Sequence, residues 1–206
     1  MLKKILKNIV EKPTDKLDVL YKQPKTEKNM ASVQVFKEGL IQQADLLFVP
    51  NDCGYKYILI VIDNHSKICD AEKLKDKDAI TITKAFKKIY SRGILKLPED
   101  TIELDSGTEF HGATEKYFND KNIRIRYALP NRHRAQSLIE RRNQTFGTLI
   151  HRIQAHKELE TGKPNKQWIS ILHVLVREIN ANLPKPNLLQ MQLVMIQLQM
   201  IIIKSY

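Results

Sequence analysis

Apolar residues fall in short runs through the first half of this chain and at helical spacing through the second. Residues 42–49, Gln42-Gln43-Ala44-Asp45-Leu46-Leu47-Phe48-Val49, read as a strand interrupted by one carboxylate. Residues 55–63 are a second strand, with the β-rich core Tyr57-Ile58-Leu59-Ile60-Val61-Ile62. Asn51-Asp52-Cys53-Gly54 between them is a hairpin signal. Residues 66–74 make a third, weaker strand. From Asp78 to Tyr90 the spacing shifts, and Ile80, Ile82, Ala85, Phe86 and Ile89 form the apolar stripe of a helix. A fourth strand is predicted over 101–105, a short helix over 111–121 and a fifth strand over 123–127. Residues 135–156 read as a long helix with Ile139, Phe146, Leu149, Ile150 and Ile153 on one face. Residues 168–179 read as another, with Trp168, Ile171, Leu172, Leu175 and Ile179 facing inward. The order β-β-β-α-β-α-β-α-α predicts an α/β fold: a three-strand meander, then crossovers, giving a mixed five-stranded sheet flanked by helices.

Both ends differ from this core. Residues 1–33 are Lys-rich after one amphipathic stretch and read as a basic arm or linker, with a linker composition at 24–29. Met1 to Val10 alternates Lys with Leu and Ile and lacks a continuous apolar run, so it is not a secretory signal. Residues 34–183 form the predicted domain, and residues 184–206 a low-complexity apolar tail. No charge occurs from Pro186 to Ile203, but Gln190, Gln192, Gln197 and Gln199 interrupt the run. A membrane span wants roughly 20 predominantly apolar residues, so no membrane role is expected. The tail reads as poorly ordered or not native to the domain, with a helix packed on the core as the alternative.

The net charge of +11 and pI near 9.6 over 206 residues imply a polyanionic partner, most simply nucleic acid. Only Cys53 and Cys69 are present, which gives no disulfide framework and fits an intracellular, reducing setting at DNA. No CxxC occurs and the first histidine is His65, so no zinc-binding module is expected ahead of the core. The absence of a GxxxxGK[ST] loop argues against a nucleotide cofactor.

Three acidic residues sit where a carboxylate is conspicuous. Asp45 breaks the first strand. Asp105 ends the fourth, in Leu104-Asp105-Ser106-Gly107-Thr108-Glu109-Phe110. Glu140 lies in Ser137-Leu138-Ile139-Glu140-Arg141-Arg142-Asn143-Gln144-Thr145, near the start of the long helix. Hard carboxylate oxygens suit Mg²⁺ or Mn²⁺, and two such ions can support in-line displacement at phosphorus. A strand-end Asp taken alone is more often a turn or cap residue.

Taken together, these segments resemble the catalytic core of retroviral-type integrases and their transposon relatives, the DDE superfamily with an RNase H-like fold. The resemblance is closest to integrases of Polinton/Maverick-type elements and large DNA viruses. It covers roughly residues 36–182. Gln43-Ala44-Asp45-Leu46 resembles the family's first Asp motif, residues 57–67 its second strand and turn, and Asp105 to Phe110 its D-x-G-x-E-F segment. Residues 138–145 resemble its V-E-R-x-N-x-T helix. Thirty-four residues, positions 106 to 139, separate Asp105 from Glu140, close to the family's spacing. The resemblance implies an RNase H-like fold and a polynucleotidyl transferase that joins mobile-element or viral DNA ends to target DNA. It also implies Asp45, Asp105 and Glu140 as the catalytic, metal-holding set, two Mg²⁺ or Mn²⁺ ions, and DNA and a second copy of the chain as partners. The alternatives are a non-catalytic nucleic-acid-binding remnant and an RNase H-like nuclease.

This chain departs from the family at two places. The loop before Glu140, Pro130-Asn131-Arg132-His133-Arg134-Ala135-Gln136, has no glycine and is basic. Gly147 stands two turns after Glu140, where the family often carries a lysine. Arg132, Arg134, Arg141 and Arg142 beside the acids read as phosphate contacts, the alternative being a solvated face. Asn143, one turn after Glu140, reads as a DNA-contacting, substrate-positioning residue, the alternative being a solvated Asn. Asp63 reads as a turn cap, Glu109 as a helix-entry or surface residue with a fourth-ligand role as the alternative, and Trp168 as core. His151 and His156 do not share a helical face well enough to ligate one metal.

Overall fold

The computed structural model describes residues 35, 37–128 and 137–181. The chain divides into two units, Met1–Val33 and Gln34–Tyr206, and every described residue belongs to the second. The arm expected over 1–33, the tail expected over 184–206 and the loop at 130–136 lie outside the described residues.

Five strands form one sheet: β1 (Ile41–Asp52), β2 (Tyr55–Asp63), β3 (Cys69–Leu74), β4 (Thr101–Leu104) and β5 (Arg124–Tyr127). Their spatial order is β3-β2-β1-β4-β5. β1, β2 and β3 pair antiparallel, whereas β4 runs parallel to β1 and β5 parallel to β4. The helices are α1 (Ala79–Ser91), α2 (Ala113–Asn119), α3 (Ser137–Thr161) and α4 (Leu172–Asn180), with single 3-10 turns at Thr108–Phe110 and Ile169–Ile171. This is the RNase H-like α/β arrangement expected from the sequence.

The inner strand β2, between β3 and β1, is buried on both faces, which explains its unbroken apolar run. On one face Ile58, Ile60 and Ile62 pack with Ile139, Phe146 and Ile150 of α3 and with Leu175 and Ile179 of α4. On the other, Leu59 and Val61 join Leu46, Ile102 and Leu104 against Ile82, Phe86 and Ile89 of α1 and Phe118 of α2. At the hairpin, Cys53 (φ 50°) and Gly54 (φ 86°) are both left-handed, as a two-residue primed turn requires. The Asn51 side chain accepts from the Gly54 N–H at 2.9 Å and closes it.

Several boundaries move from their predicted places, each for a local reason. β3 starts at Cys69, not 66, because Asp63 organises the preceding residues into a turn. Its Oδ2 accepts from His65 N (3.1 Å), Ser66 N (2.7 Å) and Ser66 Oγ (2.9 Å), and its Oδ1 from Gly39 N (2.8 Å). The helix predicted over 111–121 is shorter, since Gly112 (φ 66°) delays its start to Ala113, and a separate 3-10 turn precedes it at Thr108–Phe110. α3 continues past His156 to Thr161, since Lys157-Glu158-Leu159-Glu160 are strong helix formers, and it stops at Gly162 (φ 65°). α4 starts at Leu172 because the Trp168 and Ile169 N–H groups are drawn to Asp52 Oδ2 at 2.8 and 3.0 Å. Trp168 is fully buried and donates its indole N–H to Pro50 O at 2.7 Å.

Candidate active site

Asp45 and Asp105 owe their proximity to one parallel pairing. Gln43 pairs with Glu103 and Ala44 with Leu104, and the next position on each chain is an aspartate. Asp45 is half-buried and its Oδ1 accepts from Leu46 N at 2.7 Å. Asp105 is exposed just past the end of β4, and its Oδ1 accepts from Ser106 N at 2.7 Å.

Glu140 arrives from α3, and a buried bridge beneath the acids fixes where α3 begins. Gln43 Oε1 accepts from the Ile139 N–H at 3.1 Å, and Gln43 Nε2 donates to Glu103 Oε2 at 2.7 Å. Glu103 in turn pairs with Arg126 on β5. Gln43 and Glu103 are 3% and 4% exposed, so both polar ends of the amide are satisfied inside the protein. Each element held by this bridge carries one acid nearby: Asp45 two residues after Gln43, Asp105 two after Glu103, Glu140 next to Ile139. One turn beyond Glu140, Asn143 donates its amide to Asp45 Oδ2 at 2.8 Å. The other amide atom, Asn143 Oδ1, is buried without a partner among the described residues.

The electrostatics tie the acids together. Burial raises the Asp45 pKa from 3.8 to about 6. The Leu46 N–H opposes the rise, and the negative charges of Asp105, Glu140 and Glu109 add to it. Glu109 is therefore a fourth acid whose charge reaches Asp45, in line with the alternative the sequence left open for it. Gly107 makes room for it: a Cβ there would stand 2.5 Å from Glu109 Oε2. Among the described residues, no three His, Cys, Asp or Glu side chains form a ready metal cage. Asp45 senses the charges of the other three acids, which do not close a ligand shell with it.

Arg141 is exposed beside Glu140, and Arg142 donates to Lys67 O at 2.9 Å. Arg132 and Arg134 lie outside the described residues. Asp63 caps a turn. Gly147 faces β1, where a Cβ would lie 3.9 Å from Leu47 Cδ1. Cys53 is exposed and free at the hairpin tip, while burial pushes the free Cys69 thiol up to about 12. No helix among the described residues is long and apolar enough to cross a membrane.

No family model and no curated protein matches this chain. Among solved structures it is similar to a chain of a simian T-cell lymphotropic virus intasome, seen by cryo-electron microscopy in complex with the PP2A regulatory subunit B56 gamma. That match has a TM-score of 0.59 at 17% identity over 73% of this chain, and at that identity it shows the fold. The chain spans about half the length of its match, 51%.

Proposed function

We propose that this domain is the catalytic core of a metal-dependent polynucleotidyl transferase that joins mobile-element or viral DNA ends to target DNA. The observation that supports the reading is the parallel β1–β4 pairing that sets Asp45 and Asp105 at neighbouring strand positions, together with the charge of Glu140 acting on Asp45 from α3. The donor set fits Mg²⁺ or Mn²⁺, since it is built of hard oxygens and its negative charge is uncompensated where Asp45 is half-buried. Asp45, Asp105 and Glu140 would hold two such ions, with Glu109 beside them. When bound, the pair supplies activation of the attacking oxygen and stabilisation of the leaving oxygen in an in-line displacement at phosphorus.

The chain's own residues do the positioning. Asn143 orients the Asp45 carboxylate. The Gln43 bridge sets the height of α3, and with it Glu140. Arg141, Arg142, Arg132 and Arg134 offer forked donors to phosphate oxygens, which place DNA without reading its sequence. The implied partners are DNA and a second copy of the chain, and the implied setting is intracellular. The likeness to a chain of a viral intasome supports this reading at the level of fold. Replacing Asp105 with Asn should abolish Mg²⁺-dependent strand transfer on labelled duplex ends. Undiminished joining by that variant would end the assignment.

A further inference from the structure

Glu115, in the first turn of α2, accepts three hydrogen bonds that tie the segment carrying Asp105 and Glu109 to β5. From the far end of that segment, the Gly112 N–H donates to Oε2 at 2.8 Å, and His111 Nδ1 lies 2.8 Å from Oε1. From β5, the Tyr127 hydroxyl donates to the same Oε1 at 2.8 Å. An ionised carboxylate only accepts, so Nδ1 carries the imidazole proton. The His111 and Tyr127 rings also meet, with centroids 4.7 Å apart. These donors, His111 foremost and then Tyr127 and Gly112, hold the Glu115 carboxyl down at about 2 against an ordinary 4.5.

The register shows what the bonds close. Tyr127 pairs with Leu104, the residue before Asp105, and Ala128 N donates to Leu104 O at 2.9 Å. The chain leaves β4 at Asp105, passes through the 3-10 turn and is tied back through Glu115 to the strand position beside its own start. Asp105 lies one residue past the last register pair of β4, so the course of its carboxylate depends on the segment that follows.

Two further contacts orient that segment. Phe110 is 1% exposed, in the core cluster with Phe86 and Phe118. The Phe110 and His111 N–H groups donate to Gly107 O and Thr108 O, each at 3.2 Å. A 3-10 turn has three residues per turn, so the direction of each follows from its neighbours. With Phe110 held in the core and His111 held at Glu115, Glu109 is left on a third side, and its charge reaches Asp45.

We propose that Glu115, clasped by Tyr127 and His111, is a positioning residue that holds the segment 105–112 so that Asp105 and Glu109 stay at the acid site. That these acids hold a divalent ion rests on the function proposed above, whereas the clasp rests on its hydrogen bonds. A Glu at the third helical position that bonds back to the Gly112 N–H is also an ordinary helix cap. The Tyr127 bond separates the two roles, because a cap has no use for a donor from β5.

The test uses the full chain with Mn²⁺ as the probe ion. Mn²⁺ affinity is read from water-proton relaxation, hydrogen exchange from peptides spanning 105–112, and folding from thermal melting. Tyr127→Phe removes the β5 donor and keeps the cap. It should speed exchange in 105–112 and weaken Mn²⁺ binding by about 10-fold, the low end for supporting contacts, while the chain stays folded. Glu115→Ala should do the same more strongly. In strand transfer, both variants should lose turnover number with KM for DNA little changed. Unchanged Mn²⁺ affinity in a folded Tyr127→Phe chain would reduce Glu115 to a helix cap and overturn the proposal, whatever Glu115→Ala does. Strand transfer by the unaltered chain alongside that result keeps the function and removes the clasp. If the unaltered chain binds no Mn²⁺, the function proposed above fails and exchange alone decides the clasp. Faster exchange at 105–112 in Tyr127→Phe then upholds it, and equal exchange overturns it.

Discussion

The Asn143 amide donates to Asp45 Oδ2 at 2.8 Å, joining residues 98 positions apart in the chain. The contact fixes one carboxylate oxygen of Asp45 and ties α3 to β1 one turn beyond Glu140. Supporting hydrogen bonds of this kind typically set metal affinity or activity by about 10- to 100-fold. Asn143→Ala should therefore raise the Mg²⁺ concentration needed for half-maximal strand transfer by about that factor, with the fold retained. A Mg²⁺ titration indistinguishable from the unaltered chain would remove Asn143 from the site.

Asp45 gives the site a pH signature. Its folded value of about 6 exceeds its ordinary 3.8, so the fold prefers the protonated acid. The stability contributed by that preference is complete below about 3.8 and is lost as pH rises through about 6. Asp45→Asn should thus stabilise the metal-free protein at pH 7 by on the order of 2 kcal/mol, allowing for partial exposure. Near pH 3.5 it should change little. Urea unfolding at the two pH values reads the difference, and equal effects at both would refute the argument.

The Gln43 bridge predicts a coupled loss. Gln43→Leu leaves the Ile139 N–H without its acceptor and Glu103 with one donor fewer, each in a buried setting. Unsatisfied buried groups cost about 1–3 kcal/mol each, so the thermal midpoint should fall by several degrees. Because the bridge sets the start of α3, the turnover number should fall further than the stability loss explains, with KM for DNA little changed. Full turnover in a folded Gln43→Leu protein would reduce the bridge to packing.

Gly147 is a point where the sequence can be improved. It lies inside α3, and a Cβ there would be in ordinary contact with Leu47 Cδ1 at 3.9 Å. Gly147→Ala should stabilise by about 1 kcal/mol through helix propensity alone. A lower melting temperature would mean that α3 must approach β1 more closely than this packing implies.

The strands, the helices and the candidate acids were legible because each is a local signal. A carboxylate that breaks an apolar run, as Asp45 does, is visible to anyone who counts along the chain. So is the stripe of Ile139, Phe146 and Ile150 that commits α3 to one face of the sheet. Asp63 could be read as a turn cap because the groups it binds at His65 and Ser66 lie within three residues of it.

The tertiary structure alone decided what depends on residues far apart in sequence. Gln43 meets Ile139 across 96 positions, and Asp52 meets Trp168 across 116. No periodicity encodes such pairs, since periodicity reports only neighbours along a helix or strand. Glu109 reads first as a helix-entry or surface residue, and only the fold brings its charge to Asp45, with Gly107 leaving room for the side chain. The sequence by itself determined which residues are buried and which carry charge, because solvation acts on each side chain where it stands. Only the closed sheet decided which charges face one another, because Coulomb energy depends on distances that chain order does not set.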